Sequence, residues 1–342
     1  MPSSWKTSFA MDYTLPLGIK ATLEGIYSVN FNEVVVTTLN YAKTGTVQLP
    51  GEPSARSLWT GEEIKNKAGA NMGGYYLHNE PSLKGSYYSL TAQLSKTFAW
   101  GLDLMAAYTL SGAKSLTDGN GDQVYEFANT VTLNGPNEAC LGYANYVTPN
   151  RIIANASYTL REGSHAATKF SAFYEGYNIG YYDRYSYSRL SYQMNNVSGV
   201  GTASQVIYIP TAEDLKNMTF SDDANKSAFE QFIASDKYLS KHRGEYSLRN
   251  GMVAPWLNRV NVRVAQDVYF NVAGRKQTLE IGLDIKNVGN LINSNWGVYK
   301  QISSNTILNY KDGEYTFTEP VWNNRNDLVS TWQMLLSARW SF

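Results

Sequence analysis

Cysteine is almost missing from this chain. Cys140 stands alone among 342 residues, so no disulfide between two cysteines of the chain can brace the fold. Charge of one sign is missing as well. Lysine plus arginine and aspartate plus glutamate each number 29, and charged residues make up only 17% of the chain, which gives no electrostatic footprint for nucleic acid. No apolar run approaches the roughly 18 residues of a membrane-crossing helix, and the mean hydropathy is −0.36. That excludes a helical membrane span but not a membrane β-barrel, in which half of each strand faces water.

Motifs of site chemistry are equally sparse. The histidines His78, His165 and His242 are scattered without ligand spacing. There is no G-x-S-x-G elbow and no phosphate-binding loop. Asp118-Gly119-Asn120-Gly121-Asp122 invites a calcium reading, but the EF-hand loop needs glycine sixth and an acid twelfth, where this chain has Gln123 and Asn129. A solvated loop is the expectation there, and no catalysis, cofactor or metal is expected anywhere. The start, Met1-Pro2-Ser3-Ser4-Trp5-Lys6, lacks the basic and apolar parts of a signal peptide, and a strand pattern is under way by Trp5. The expectation is a chain that begins partway through a larger protein.

Aromatic residues and two-residue alternation are abundant, with 26 tyrosines and 8 tryptophans. The stretch Asp327 to Phe342 shows the pattern best. Counting back in twos from Phe342 gives Trp340, Ala338, Leu336, Met334, Trp332, Ser330 and Leu328, against Ser341, Arg339, Ser337, Leu335, Gln333, Thr331, Val329 and Asp327. Because successive strand side chains point to opposite faces, one face is apolar and the other largely polar. The same alternation puts Trp5, Phe9, Met11 and Tyr13 together, then Ile19, Leu23, Tyr27 and Val29, continuing towards Tyr41. Further strands carry Tyr88, Leu90 and Leu94; Leu102, Leu104, Tyr108 and Leu110; Ile152, Tyr158 and Leu160; and Phe170 and Tyr174. Val260, Val262, Val264, Val268 and Phe270 follow, then Leu279, Ile281, Leu283 and Ile285. Lys96 breaks the rule by falling on the apolar side, beside Phe98, where its stem can snorkel to an interface.

The connections sort by parity. Tight turns at 16–18, 99–101, 163–166 and 273–275 alternate with long loops near 44–85, 111–150, 176–255 and 289–326. Short on one side and long on the other is the arrangement of outer-membrane barrels. Within the long 176–255 segment, Phe229, Phe232 and Ile233 recur at helical spacing with Asp222 or Asp223 as cap, and a second short helix is expected near 212–217. The fold expected is therefore all-β: about nine strands of an antiparallel transmembrane β-barrel, with one or two short helices in its long loops. Slipping the strand at 278–286 by one residue would put Glu280, Asp284 and Lys286 into hydrocarbon. A lysine or arginine near the midplane costs about 2–4 kcal/mol, so the register is well determined.

The segments IYIP (207–210), AFEQFIASDKYLSKHRGEYSLRNGMVAPWLNRVNVRVAQDVYF (228–270), LEIGLDIKNVGNLINSNWG (279–297) and LLSARWSF (335–342) resemble TonB-dependent outer-membrane receptors of the Bacteroidetes, in particular the Oar-like branch. The resemblance is good from about Ile207 to Phe342 and rests more on pattern than on words upstream. It implies a twenty-two-stranded barrel plugged by an N-terminal domain and import powered by the inner-membrane TonB complex. With no plug, TonB box or signal peptide, residues 1–342 match only the C-terminal part of such a barrel, and transport by this chain alone is not expected. The partners implied are outer-membrane lipid, the plug and TonB complex through the N-terminal part, and the barrel-assembly machinery through the closing strand with Trp332, Arg339, Trp340 and Phe342. The location implied is the outer membrane.

Two groups of candidate site residues follow. Arg259, Arg263, Asp267, Glu280, Asp284 and Lys286 lie on adjacent strands on the polar side and are expected to form a luminal ion-pair network. In the cluster Tyr174, Tyr177, Tyr181, Tyr182, Tyr185 and Tyr187, part is interface girdle, and the outer residues Tyr177, Tyr181, Tyr182 and Tyr185 are a candidate ligand platform. Competing readings are a passive pore or adhesion barrel without energy coupling, and a soluble all-β binding protein.

Overall fold

Alternation in the sequence becomes nine long strands. They are β1 (Ser3–Leu15), β2 (Ile19–Phe31), β3 (Ser86–Thr97), β4 (Leu102–Ser115), β5 (Asn150–Glu162), β6 (Ala166–Asn178), β7 (Trp256–Val272), β8 (Arg275–Lys286) and β9 (Gln333–Ser341). The computed structural model describes residues 1–61, 64, 65, 71–118, 130–135, 137–200 and 204–342. The nine strands form one antiparallel sheet in sequence order, and the two-residue strand Gly142–Tyr143 adds to the C-terminal end of β4. The sheet is not closed: β1 pairs only with β2, and β9 only with β8.

Pairing along the nine strands runs without a register shift, so one face is continuous from edge to edge. Across it Met11 faces Leu23, Leu23 faces Ala92, Ala92 faces Tyr108 and Tyr108 faces Ile152. Further on, Tyr158 faces Phe170, Phe170 faces Val264, Val264 faces Leu283 and Leu283 faces Leu336. This apolar face is bare. Trp5, Phe9, Tyr13, Phe170 and Trp340 are 44–62% exposed. A half-exposed aromatic side chain shows roughly 100 Å², so these five alone come to about 500 Å², near the limit for a soluble monomer. Gln266 is a polar exception that the sequence pattern passes over, and Lys96 holds its ammonium 4.4 Å from the Phe98 ring.

Chain reversal at one end is tight for local reasons. Ala273 and Gly274 both have positive φ (51° and 78°), the two-residue hairpin that matches strand twist. Gly101 has φ 99°, and a Cβ there would stand 2.6 Å from the Thr159 carbonyl oxygen, so only glycine fits. All the long connections lie at the other end, and here the structure departs from the sequence reading. Strand β2 stops at Phe31. Asn32 turns left-handed (φ 55°), and the chain continues as Glu33–Thr38, which pairs with Tyr75–Glu80 instead of extending the main sheet. Tyr41–Val47, which runs into the expected loop 44–85, pairs with Arg56–Gly61 inside it. The closing strand begins at Gln333, later than the alternation suggests, because Ser330 and Thr331 donate their amides to the Asp327 carbonyl and turn the chain.

These connections fold together into a layer with its own core. Leu49, Tyr192, Met194, Ile207, Ile209, Phe229, Ile233, Leu239, Leu308 and Tyr315 are all at most 2% exposed and pack in one cluster. Helix α1 (Asp223–Ser235) contributes Phe229 and Ile233, and the Asp222 carboxylate caps it by accepting from the Asn225 amide at 2.7 Å. A 3₁₀ turn, Asp214–Asn217, fills the second expected position. Among the described residues, no helix is long and apolar enough to cross a membrane, which says nothing of strands. Asp222→Ala is expected to cost about 1 kcal/mol, read as a lower urea midpoint with an unchanged slope.

Candidate functional site

Opposite the apolar face, β6, β7 and β8 carry a compact ion-pair ladder. Lys169 Nζ lies 2.7 Å from Asp267 Oδ2 and 3.5 Å from Glu280 Oε2. Arg263 reaches Glu280 Oε1 at 2.9 Å and also binds Asp284. The Tyr269 hydroxyl donates to Asp267 Oδ2 at 3.1 Å. Four of the six residues expected here, Arg263, Asp267, Glu280 and Asp284, are therefore brought together. Lys169, which the sequence reading left out, is what joins them. It lies opposite Ala265, diagonal to Asp267, and diagonal neighbours on one face are within reach of a long side chain. Asp267 is only 4% exposed, so Lys169→Met is expected to cost on the order of 1–3 kcal/mol. In a double-mutant cycle, adding Asp267→Asn is expected to restore part of that loss.

Arg259 and Lys286 are not part of the ladder. Lys286 is exposed, at the end of β8, and makes no ion pair among the described residues. Arg259 lies opposite Glu175 but bonds elsewhere: its Nη1 donates to the Tyr299 hydroxyl at 3.1 Å, with the guanidinium 5.4 Å from the Tyr299 ring centre. Glu175 is taken by Arg151 at 3.5 Å.

Tyr299 gathers half of the expected tyrosine platform. Its hydroxyl lies 3.3 Å from that of Tyr177, and the Tyr181 ring meets it edge-on at 5.3 Å. The Arg325 guanidinium covers the other ring, 3.9 Å from the Tyr181 centroid, while its Nε donates to Asp327 Oδ2 at 2.5 Å. Tyr182 and Tyr185 do not join them. Tyr182 packs against the core of the loop layer, and Tyr185 is exposed beside Tyr187, 6.0 Å between centroids. The reason is local: strand Gly180–Tyr182 turns straight into Tyr185–Tyr187, so Tyr181 and Tyr182 face opposite ways. Tyr299 and Arg325 sit far along the chain in the connection before β9, and no local spacing pointed to them.

Within the segment 228–270, Arg243-Gly244 and Arg249-Asn250 act as clamps. Arg243 forks onto Glu230 of α1 (2.8 and 3.1 Å), and Gly244 has φ 83°. Arg249 is buried. It donates to the carbonyls of Leu116 (2.9 Å) and Ser115 (2.6 Å), and its Nε lies 3.4 Å from Asp118. Asn250, left-handed at φ 59°, donates to Asp118 and to the Tyr143 carbonyl, each at 2.7 Å. Burial pushes the Asp118 carboxyl up, against the pull of Arg249 and Asn250. The remainder of the calcium-like stretch, 119–129, lies outside the described residues. Among the described residues, no three histidine, cysteine, aspartate or glutamate side chains stand together as metal ligands.

On the closing strand, Trp340 is on the apolar face and donates Nε1 to Gln277 Oε1 at 2.7 Å. Its ring meets Phe342 edge-on at 6.0 Å. Arg339 lies opposite Glu280 on the polar face, and Trp332 precedes the strand, its amide donating to Asn290 Oδ1 at 3.2 Å. Compared with protein-family models, with curated proteins and with solved structures, the chain gives no match.

Proposed function

We propose that the chain is the C-terminal part of an outer-membrane β-barrel of the TonB-dependent receptor type, serving energy-coupled uptake of a solute. The observation that carries this reading is the inversion of ordinary protein architecture. The sheet leaves its apolar face bare, whereas the connecting segments at one end bury a core of their own. In water such a face would be an aggregation hazard; in hydrocarbon it is matched to its surroundings. Strand length agrees. Thirteen residues, the length of β1, β2, β5 and β6, rise about 3.3 Å each and at a tilt of about 45° cover roughly 30 Å, the thickness of a bilayer core.

Strand direction adds a constraint. β1 enters a tight turn and β9 leaves a long connection, so both run from the loop layer towards the tight turns. Joining these two edges directly would need a parallel pair. All-antiparallel closure takes an odd number of further strands, which is the remainder left by the twenty-two strands of the resembling receptors. An open edge in lipid leaves unpaired backbone groups, each costing several kcal/mol, so the barrel is complete only with strands supplied from elsewhere.

The test is fractionation of the native product from cells that make it. The proposal expects it in the outer membrane, resistant to alkaline wash, released only by detergent, and of slower mobility in electrophoresis after boiling. Recovery as a soluble protein without detergent would contradict it. Loss of uptake on removing the TonB complex separates energy coupling from a passive pore.

A further inference from the structure

At the outer end of the polar face the charges do not balance. Around the Tyr177–Tyr299–Tyr181 group stand Arg151, Arg259 and Arg325, with Lys286 at the end of the neighbouring strand, against Glu175 and Asp327. Each carboxylate is already engaged, Glu175 by Arg151 and Asp327 by Arg325. No carboxylate lies within ion-pair distance of Arg259 among the described residues; it spends one N–H on a phenol and makes no hydrogen bond with Nε. Nη1 of Arg325 is likewise buried without an acceptor. The ladder four residues further along β7 has the opposite bias, with Lys169 and Arg263 against Asp267, Glu280 and Asp284.

Arg259 is partly buried, and a guanidinium with its Nε shut off from solvent and no carboxylate beside it gains from an anionic partner. Its planar fork suits a carboxylate, and phenol hydroxyls at its side donate to the same kind of oxygen. Lys286 is exposed to solvent, which leaves Arg259 as the one uncompensated guanidinium of the group, a match for a single negative charge. Tyr181, only partly buried, offers apolar ring surface to whatever bears that charge.

We propose that this mouth is a binding site for a monoanionic carboxylate attached to a planar or apolar group, with Arg259 as the anion anchor, the Tyr177 and Tyr299 hydroxyls as donors, and Tyr181 under Arg325 as the stacking wall. It deepens the uptake reading by naming the chemical class of solute met first on the polar face. It rests on that reading for its purpose, but fractionation decides the one and ligand binding the other.

The test uses the full chain in detergent micelles, titrated with benzoate and with its neutral isostere benzamide, followed by saturation-transfer NMR. A charge-assisted bond to Arg259 is expected to make benzoate bind about tenfold tighter than benzamide. Arg259→Gln is expected to remove that preference while benzamide binding stays, and Tyr181→Ala to weaken both. Equal binding of the two probes by the unaltered chain overturns the proposal without reference to any variant. So does a preference that survives Arg259→Gln, or inorganic phosphate binding more tightly than benzoate.

Discussion

Leu90→Lys is expected to destabilise the protein in a bilayer by about 2–4 kcal/mol, whereas Thr91→Lys, its neighbour, is expected to cost less than about 1 kcal/mol. The two residues occupy the middle of β3 and differ only in the face they present. Leu90 is 43% exposed on the apolar face, between Gly25 and Leu110. Thr91 lies on the polar face between Glu24 and Thr109, whose hydroxyl it meets at 2.9 Å. In lipid, a lysine at 90 must drag its ammonium through hydrocarbon to an interface, whereas one at 91 meets water and a carboxylate. Were the apolar face bathed in water, the ranking would vanish or reverse, because Leu90→Lys would then remove exposed apolar surface. Urea unfolding from lipid vesicles measures both.

Arg56→Met is the second large effect, and it falls in the loop layer. Arg56 is fully buried and grips Glu52 with two bonds, Nε to Oε2 at 2.8 Å and Nη2 to Oε1 at 2.7 Å. Its Nη1 donates to the Val206 carbonyl at 3.0 Å, and the Tyr246 hydroxyl donates to Glu52 Oε2 at 3.2 Å. One ion pair thus ties three distant stretches of chain. Removing the arginine alone strands a carboxylate whose side chain is 2% exposed, an expected loss of about 3–5 kcal/mol. Adding Glu52→Gln is expected to recover most of it, since the cost lies in the unpaired charge rather than in the missing contact. Amide exchange of the layer around Ile207 and Ile209 is the readout, with the nine-strand sheet as internal control.

How much of this was legible in the sequence depends on the range of the interaction. Strand faces were legible because a period of two is local, and the pairing of Val264 with Leu283 follows from the tight turn at 273–274. Helix α1 was legible from Phe229, Phe232 and Ile233 with Asp222 as cap. The loop layer was not. Its core joins Leu49 to Tyr315, whose hydroxyl donates to the Pro50 carbonyl across 265 residues, through strands of two to seven residues too short to show a period. The ladder was half legible. Faces placed Arg263, Glu280 and Asp284 correctly, but β6 and β7 are separated by the whole segment 179–255. Nothing local fixes their offset, and that offset decides whether Lys169 comes within reach of Asp267.

The central claim, that hydrocarbon lies against the apolar face, is tested most directly on β8. With Cys140 replaced by serine, nitroxides placed one at a time at positions 279–286 in membranes report collision with oxygen, which concentrates in lipid, and with a polar nickel chelate, which stays in water. The account predicts strict alternation, with oxygen dominant at Leu279, Ile281, Leu283 and Ile285 and nickel dominant at Glu280, Gly282, Asp284 and Lys286. Low accessibility to both reagents at the odd positions would mean that a protein layer covers them, and would contradict it.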